Sequence, residues 1–268
     1  MADRPIITLL TDFGLEDAYV GVLKGVIARW APDALVIDIC HAVPPQDIRR
    51  AGLIWAAAIP WFPPGTIHVA VVDPGVGGRR KILAFEGKGA VFLAPDNGLV
   101  GYVLQKRQVK RVVEVRRRAL FLEPVSSTFH GRDIFAPVAA RLATGLDLSA
   151  LGPSCRRHLR EELPRSRARR LHRKGRELLE VRGEIVYVDR FGNAVTNLQP
   201  PEGLRLERLE VGGSSFPRMA GAYAEAPPGS PLVILGSMGT LEVAVNQGRA
   251  VDLLSLRLGD RVTAAWIR

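Results

Sequence analysis

Short strand-like apolar runs alternate with segments whose apolar residues recur every three or four positions, and this alternation fills the first half of the chain. Ile6-Ile7-Thr8-Leu9-Leu10 is a nearly continuous apolar run, as a strand covered on both faces requires. Val20, Leu23, Val26, Ile27 and Trp30 recur at helical spacing, which predicts a helix with one face on a sheet. Leu35 to Ile39 reads as the second strand. After Pro44-Pro45, Ile48, Ala51, Trp55 and Ile59 mark another amphipathic helix, stopped within Pro60 to Pro64 because proline has no N–H for the helical bond. Thr66 to Val72 is the third strand, Ile82 to Phe85 and Val91 to Ala94 form a strand pair, and Pro95-Asp96-Asn97-Gly98 is a turn. Lys110 to Val115 is a further strand, and Ile134 to Ala143 a helix ended by Gly145. Strands and helices in alternation predict an α/β fold with a mostly parallel sheet flanked by helices.

Past an arginine-rich stretch the pattern becomes one of short strands punctuated by Gly and Pro. Leu178 to Val181, Gly183 to Val188, Leu206 to Val211, Leu232 to Leu235, Leu241 to Val245 and Val262 to Ile267 suit a smaller antiparallel β-barrel. The expected organisation is an N-terminal α/β domain over 1–165, a basic linker over 166–177 and a C-terminal β-barrel domain over 178–268.

Composition narrows the function classes. Of 268 residues, 47% are hydrophobic and 24% charged, an ordinary globular balance. The net charge of +10 invites a nucleic-acid reading. Much of that charge is concentrated between Arg156 and Arg176, with no aromatic platform or recognised motif beside it, which favours a solvated face over a nucleic-acid site. No apolar run reaches the length of a membrane span, and the chain leads almost at once into a strand, so a cytoplasmic protein is expected. Cys40 and Cys155 stand far apart, the five histidines show no zinc spacing, and no phosphate-binding glycine loop is present. No metal, disulfide or nucleotide cofactor is expected.

In an open α/β sheet, ligands bind beyond the carboxyl ends of the strands. Thr11-Asp12-Phe13-Gly14 follows the first strand and Asp73-Pro74-Gly75-Val76-Gly77-Gly78 the third, so both loops should open on one rim. Asp, Pro and Gly in such places are also plain turn formers. The Arg79-Arg80 pair and the cluster Thr128-Phe129-His130-Gly131-Arg132-Asp133 add the polar company that makes a site.

Together with Ala94-Pro95-Asp96-Asn97-Gly98 and Asp189-Arg190-Phe191-Gly192-Asn193, these blocks resemble the S-adenosyl-L-methionine hydroxide adenosyltransferase family, hydrolases related to the bacterial fluorinase and chlorinase. The match runs in order from the first strand to Asn246-Gln247-Gly248. It implies hydrolysis of S-adenosyl-L-methionine to adenosine and L-methionine without a cofactor, by a homotrimer whose sites lie between neighbouring subunits. The family's water-handling Asp, Arg and His fall on Asp73, Arg80 and His130, with Arg80 placed by its seven-residue offset from Asp73 and Arg79 adjacent. Asp12 matches the ribose-binding carboxylate; Asp189, Asn193, Ser237 and Asn246 lie in blocks that hold the methionine end and the adenine. One departure is Gly78, where a threonine is common. Asp73 stands where the halogenases carry a tyrosine, and His130 where they lack the hydrolase histidine. The alternatives are a halide-dependent adenosyltransferase, a protein that binds S-adenosyl-L-methionine or adenosine without turnover, and a nucleic-acid-binding protein.

Overall fold

The structure, a computed structural model, describes residues 4–87, 89–104, 109–156, 158, 164–173 and 176–268. It divides into two compact units, Met1–Glu162 and Leu163–Arg268.

The first unit is built on β1 (Ile6–Thr11), β2 (Leu35–Cys40), β3 (Ile67–Val71), β4 (Ile82–Gly87), β5 (Ala90–Pro95) and β6 (Val109–Glu114). Their order in the sheet is β2-β1-β3-β5-β4-β6. β1 runs parallel to β2 and β3, β3 runs parallel to β5, and β4 lies antiparallel between β5 and β6. Helices α1 (Tyr19–Trp30) and α4 (Ala136–Ala143) pack with Ile7, Leu9, Val69 and Val71 into one core, whose centre holds Leu23, Ile27 and Phe135. Leu10, Ala70 and Val72 join the other core with Trp55 of α2 (Ile48–Ala58) and Leu99 of α3 (Leu99–Leu104). Alternate side chains of the same strands thus feed opposite faces, the two-sided burial that the apolar runs required. Asp47 caps α2 by accepting from the Arg50 backbone N–H at 2.9 Å. Two histidines are absorbed by this framework: His68 Nδ1 pairs with Thr8 Oγ1 at 2.8 Å inside the sheet, and His41 Nδ1 with Thr11 Oγ1 at 2.8 Å.

Helix α3 was not legible in the sequence, since Leu-Val-Gly-Tyr-Val-Leu is apolar without a polar face to give it a period. The helix expected from Ile134 begins earlier, as a single π-helical turn over Gly131–Phe135 that runs directly into α4.

The second unit is antiparallel and barrel-like. Its strands are β7 (Arg167–Arg173), β8 (Arg176–Val188), β9 (Ala194–Thr196), β10 (Arg205–Val211), β11 (Ser214–Phe216), β12 (Pro231–Leu235), β13 (Leu241–Val245) and β14 (Arg261–Ile267). They follow the order β11-β10-β14-β8-β9-β13-β12, with β7 on β8. Ile185, Leu209, Val243, Ala264 and Trp266 centre its core, and α5 (Ala250–Leu253) contributes Ala250.

Two sequence expectations change here. The stretch read as a basic linker, 166–177, carries β7, which runs antiparallel to β8 from Arg167 opposite Arg182 to Arg173 opposite Arg176. Leu171 is the one large aliphatic residue in Arg167–Arg173, so no apolar alternation announced the strand. Leu178 to Val188, read as two strands divided near Gly183, is one strand. β8 pairs with β14 as far as Glu184 and with β9 from Ile185, so Gly183 lies where the strand changes partners.

Candidate active site

Because β1, β2 and β3 are parallel, the loops after their carboxyl ends open on one edge of the sheet. With the segment that leads into the π-helical turn, they line a cavity of about 270 Å³. Asp12, Phe13, Gln46, Asp73, Val76, Phe129 and His130 are among its walls.

Asp73, Arg80 and His130 form one connected group. Arg80 Nε donates to Asp73 Oδ1 at 3.0 Å and Oδ2 at 2.8 Å, and its Nη2 donates to Oδ2 at 2.5 Å. The same Nη2 lies 2.7 Å from His130 Nδ1. Guanidinium nitrogens can only donate, so Nδ1 accepts, and neutral His130 carries its proton on Nε2. Both side chains of the Asp73–Arg80 pair are largely buried, 5% and 10% exposed, which places the pair in the partly desolvated setting where its charges act strongly. Burial, and after it the positive charge of Arg80, holds His130 below the usual histidine range; Asp73 and Asp133 oppose that shift without reversing it. Arg79 is exposed.

Two features bring this group together. Gly77 has φ +76°, and a Cβ there would overlap the carbonyl of Ser127, so only glycine lets the loop carrying Asp73 and Arg80 lie against the segment carrying His130. That segment is held by Asp133, 1% exposed, whose Oδ2 accepts from the Ser126 backbone N–H at 2.8 Å. Nearby, Phe13, Tyr19 and Phe129 pack edge to face or tilted, with centroids 5.1 to 5.9 Å apart. Asn97 Nδ2 donates to the Val72 carbonyl at 2.7 Å and so fixes the end of β3 from within the Pro-Asp-Asn-Gly turn.

Asp12 is aimed by a residue the sequence reading passed over. Gln46 adopts φ +67°, a left-handed conformation uncommon outside glycine, and its backbone N–H donates to Asp12 Oδ2 at 2.8 Å. A backbone donor leaves no side-chain signature, and Pro44-Pro45 was the single hint that the chain turns there. Asp12 keeps Oδ1 and further lone pairs for a ligand.

The remaining candidates lie in the second unit. Asp189 Oδ1 accepts from the Asn193 backbone N–H at 2.8 Å and Oδ2 from Asn193 Nδ2 at 2.9 Å, around a turn with Gly192 at φ +83°. Asn193 is 4% exposed, and its Nδ2 also faces the Tyr223 hydroxyl at 3.4 Å. Its amide therefore holds Asp189, with Oδ1 left as the acceptor. Ser237 is exposed in the turn between β12 and β13. Asn246 Nδ2 donates to the Ala226 carbonyl at 2.7 Å, so the Tyr223–Glu225 turn is tied to the end of β13. Sequence reasoning missed Tyr223 and Glu242. Glu242 could have been noticed as an acid inside the strand Leu-Glu-Val-Ala-Val, all of whose residues are buried.

Residues 7–152 match the SAM hydroxide adenosyltransferase N-terminal domain and residues 183–263 the C-terminal domain of the same family. An (R)-S-adenosyl-L-methionine hydrolase from Thermus thermophilus is 42% identical over 272 residues, covering 96% of this chain and 97% of its own. A fluorinase from Nocardia brasiliensis is 27% identical over 97% of this chain and 96% of its own. The crystal structure of an uncharacterized conserved protein from Thermotoga maritima superposes with a TM-score of 0.85 at 37% identity, covering 98% of this chain and all of that one. With both domains matched and Asp73, Arg80 and His130 joined in one hydrogen-bonded group, the chain belongs to the SAM hydroxide adenosyltransferase family.

Proposed function

We propose that this protein is an S-adenosyl-L-methionine hydrolase, and that Asp73, Arg80 and His130 deliver the water. The observation that carries the site assignment is the sharing of one Arg80 guanidinium between Asp73 and His130 at the wall of a cavity that Asp12 also lines.

The reaction forms a C5′–O bond and breaks the C5′–S bond. The bonding pair returns to sulfur, methionine leaves as a neutral thioether, and the water's proton passes to bulk solvent. The sulfonium is already a good leaving group, so the protein's task is to raise the nucleophilicity of water, whose pKa in bulk is about 15.7. Arg80 supplies fixed positive charge. Because Arg80 occupies Nδ1, His130 offers a donor at Nε2 rather than a base, so it too favours hydroxide-like charge on the attacking oxygen. Asp73 holds the guanidinium in place through both of its oxygens.

Asp12 suits the ribose, since one carboxylate can accept from both hydroxyls of a cis-diol. Asp189 is assigned to the substrate ammonium with Asn193 as its support, and Ser237 and Asn246 to the remaining methionine and adenine contacts. A halide-dependent transfer is disfavoured by Asp73, because an anion beside the nucleophile site repels a bound halide. We further infer a homotrimer in the cytoplasm, with each site drawing residues from two subunits; among the described residues no helix is long and apolar enough to cross a membrane.

The test is product identity. Incubated with S-adenosyl-L-methionine labelled in the ribose, the protein should yield adenosine and methionine in equal amounts. A 5′-chloro-5′-deoxyadenosine product at high chloride, or no product at all, would overturn the reading.

A further inference from the structure

Glu242 has no place in the mechanism above, yet its setting is unusual. It lies on β13, opposite Ile234 of β12 and Val195 of β9, and is 5% exposed. Among the described residues its carboxyl makes no hydrogen bond and no ion pair, and its oxygens are not fully enclosed, so a ligand can reach them. The chain makes room for it: at Gly236 a Cβ would overlap the Glu242 carboxyl, so the backbone just before Ser237 lies directly against those oxygens.

Among the described residues the charge of Asp189 acts on Glu242, and both acids act on Tyr223. Burial first, then the charge of Asp189, pushes the Glu242 carboxyl above the usual range. Burial, then the charges of Glu242 and Asp189, pushes the Tyr223 hydroxyl up in the same way. Two carboxyls and a phenol from three separate elements thus lie within electrostatic reach of one another, and Asn193, which braces Asp189, also faces the Tyr223 hydroxyl.

We propose that Glu242 is a second acidic residue of the ammonium subsite and selects substrates that carry the α-amino group. This rests on the hydrolase reading. An ammonium has three N–H donors, and each Asp189 oxygen already accepts one bond from Asn193. Glu242 brings two oxygens that accept none. In the empty site the mutual repulsion of the two acids favours a proton on Glu242; a cation entering between them removes the repulsion, and that proton leaves to solvent.

Kinetics on two substrates test this: S-adenosyl-L-methionine and its analogue with hydrogen in place of the α-amino group. Glu242→Gln keeps shape but cannot become an anion. It should raise KM for S-adenosyl-L-methionine about tenfold, a typical worth of one charge-assisted contact, with kcat and the analogue's constants within about twofold of wild type. Equal impairment on both substrates would mean a structural role and overturn the proposal, as would no change on either. The wild type gives an independent readout should the variant fold poorly: KM for S-adenosyl-L-methionine should fall as pH rises and Glu242 ionises, whereas KM for the analogue stays flat. Parallel profiles would also overturn it. If the wild type forms no adenosine, the hydrolase reading itself fails; if it does and the substrates are not discriminated, only the role of Glu242 does.

Discussion

Arg80 donates to both oxygens of Asp73 and to Nδ1 of His130, and a planar fork of donors is what reaches three acceptors at once. Arg80→Lys should therefore lower kcat by roughly a hundred- to a thousandfold, the scale of losing one preorganised donor to developing charge. Arg79→Lys should stay near wild type, because Arg79 is exposed. The same contact should set the acid limb of activity. Nδ1 can accept from Arg80 only while His130 is neutral, and its pKa is lowered, so turnover should persist as pH falls past the ordinary histidine value of about 6.5 and be lost below it. A kcat profile with its acid limb at or above that value, or Arg79→Lys as the crippled variant, would contradict the assignment. At this scale the sequence carried Asp12, Asp73, Arg80 and His130 because their side chains sit in recognisable blocks. It could not carry Gln46, which contributes a backbone N–H, nor the fact that the Asn193 amide is turned inward onto Asp189.

Among the elements, the loop from Asp73 to Arg80 matters most, and Gly77 is its fulcrum. Gly77→Ala forces a left-handed φ on an L-residue and drives a methyl group into the Ser127 carbonyl. The expected result is a loss of about 1–3 kcal/mol in unfolding free energy, the scale of a strained backbone position. Under conditions where the variant stays folded, kcat should fall as well, because the His130 segment is displaced from Arg80. Denaturant unfolding and steady-state kinetics on one preparation would check both; an unperturbed kcat would mean that the two loops do not depend on each other. Much of the secondary structure was legible because its residues face one core each: the period of Val20, Leu23 and Ile27 is the buried stripe of α1. Where residues meet apolar neighbours all round, as in α3, or solvent along most of their length, as in β7, no period survives to be read.

On the scale of the whole molecule, the proposed sharing of sites across subunits has an arithmetical consequence. Asp73→Asn and Asp189→Ala chains should each be inactive alone. Coexpressed in random trimers, they should regain roughly a quarter of the sites, since each site needs one intact half from each of two chains. No recovery in isolated mixed trimers would confine each site to one chain. The charge of the molecule belongs at this scale too. Among the described residues β7 pairs with β8 alone, and Arg167, Arg169 and Arg170 stand exposed along it. An unpaired strand edge is a template on which another chain can add itself, and a row of like charges is a standard defence. Arg167, Arg169 and Arg170 suit such a defence, and replacing them with neutral β-formers should lower the protein's solubility while leaving turnover unchanged.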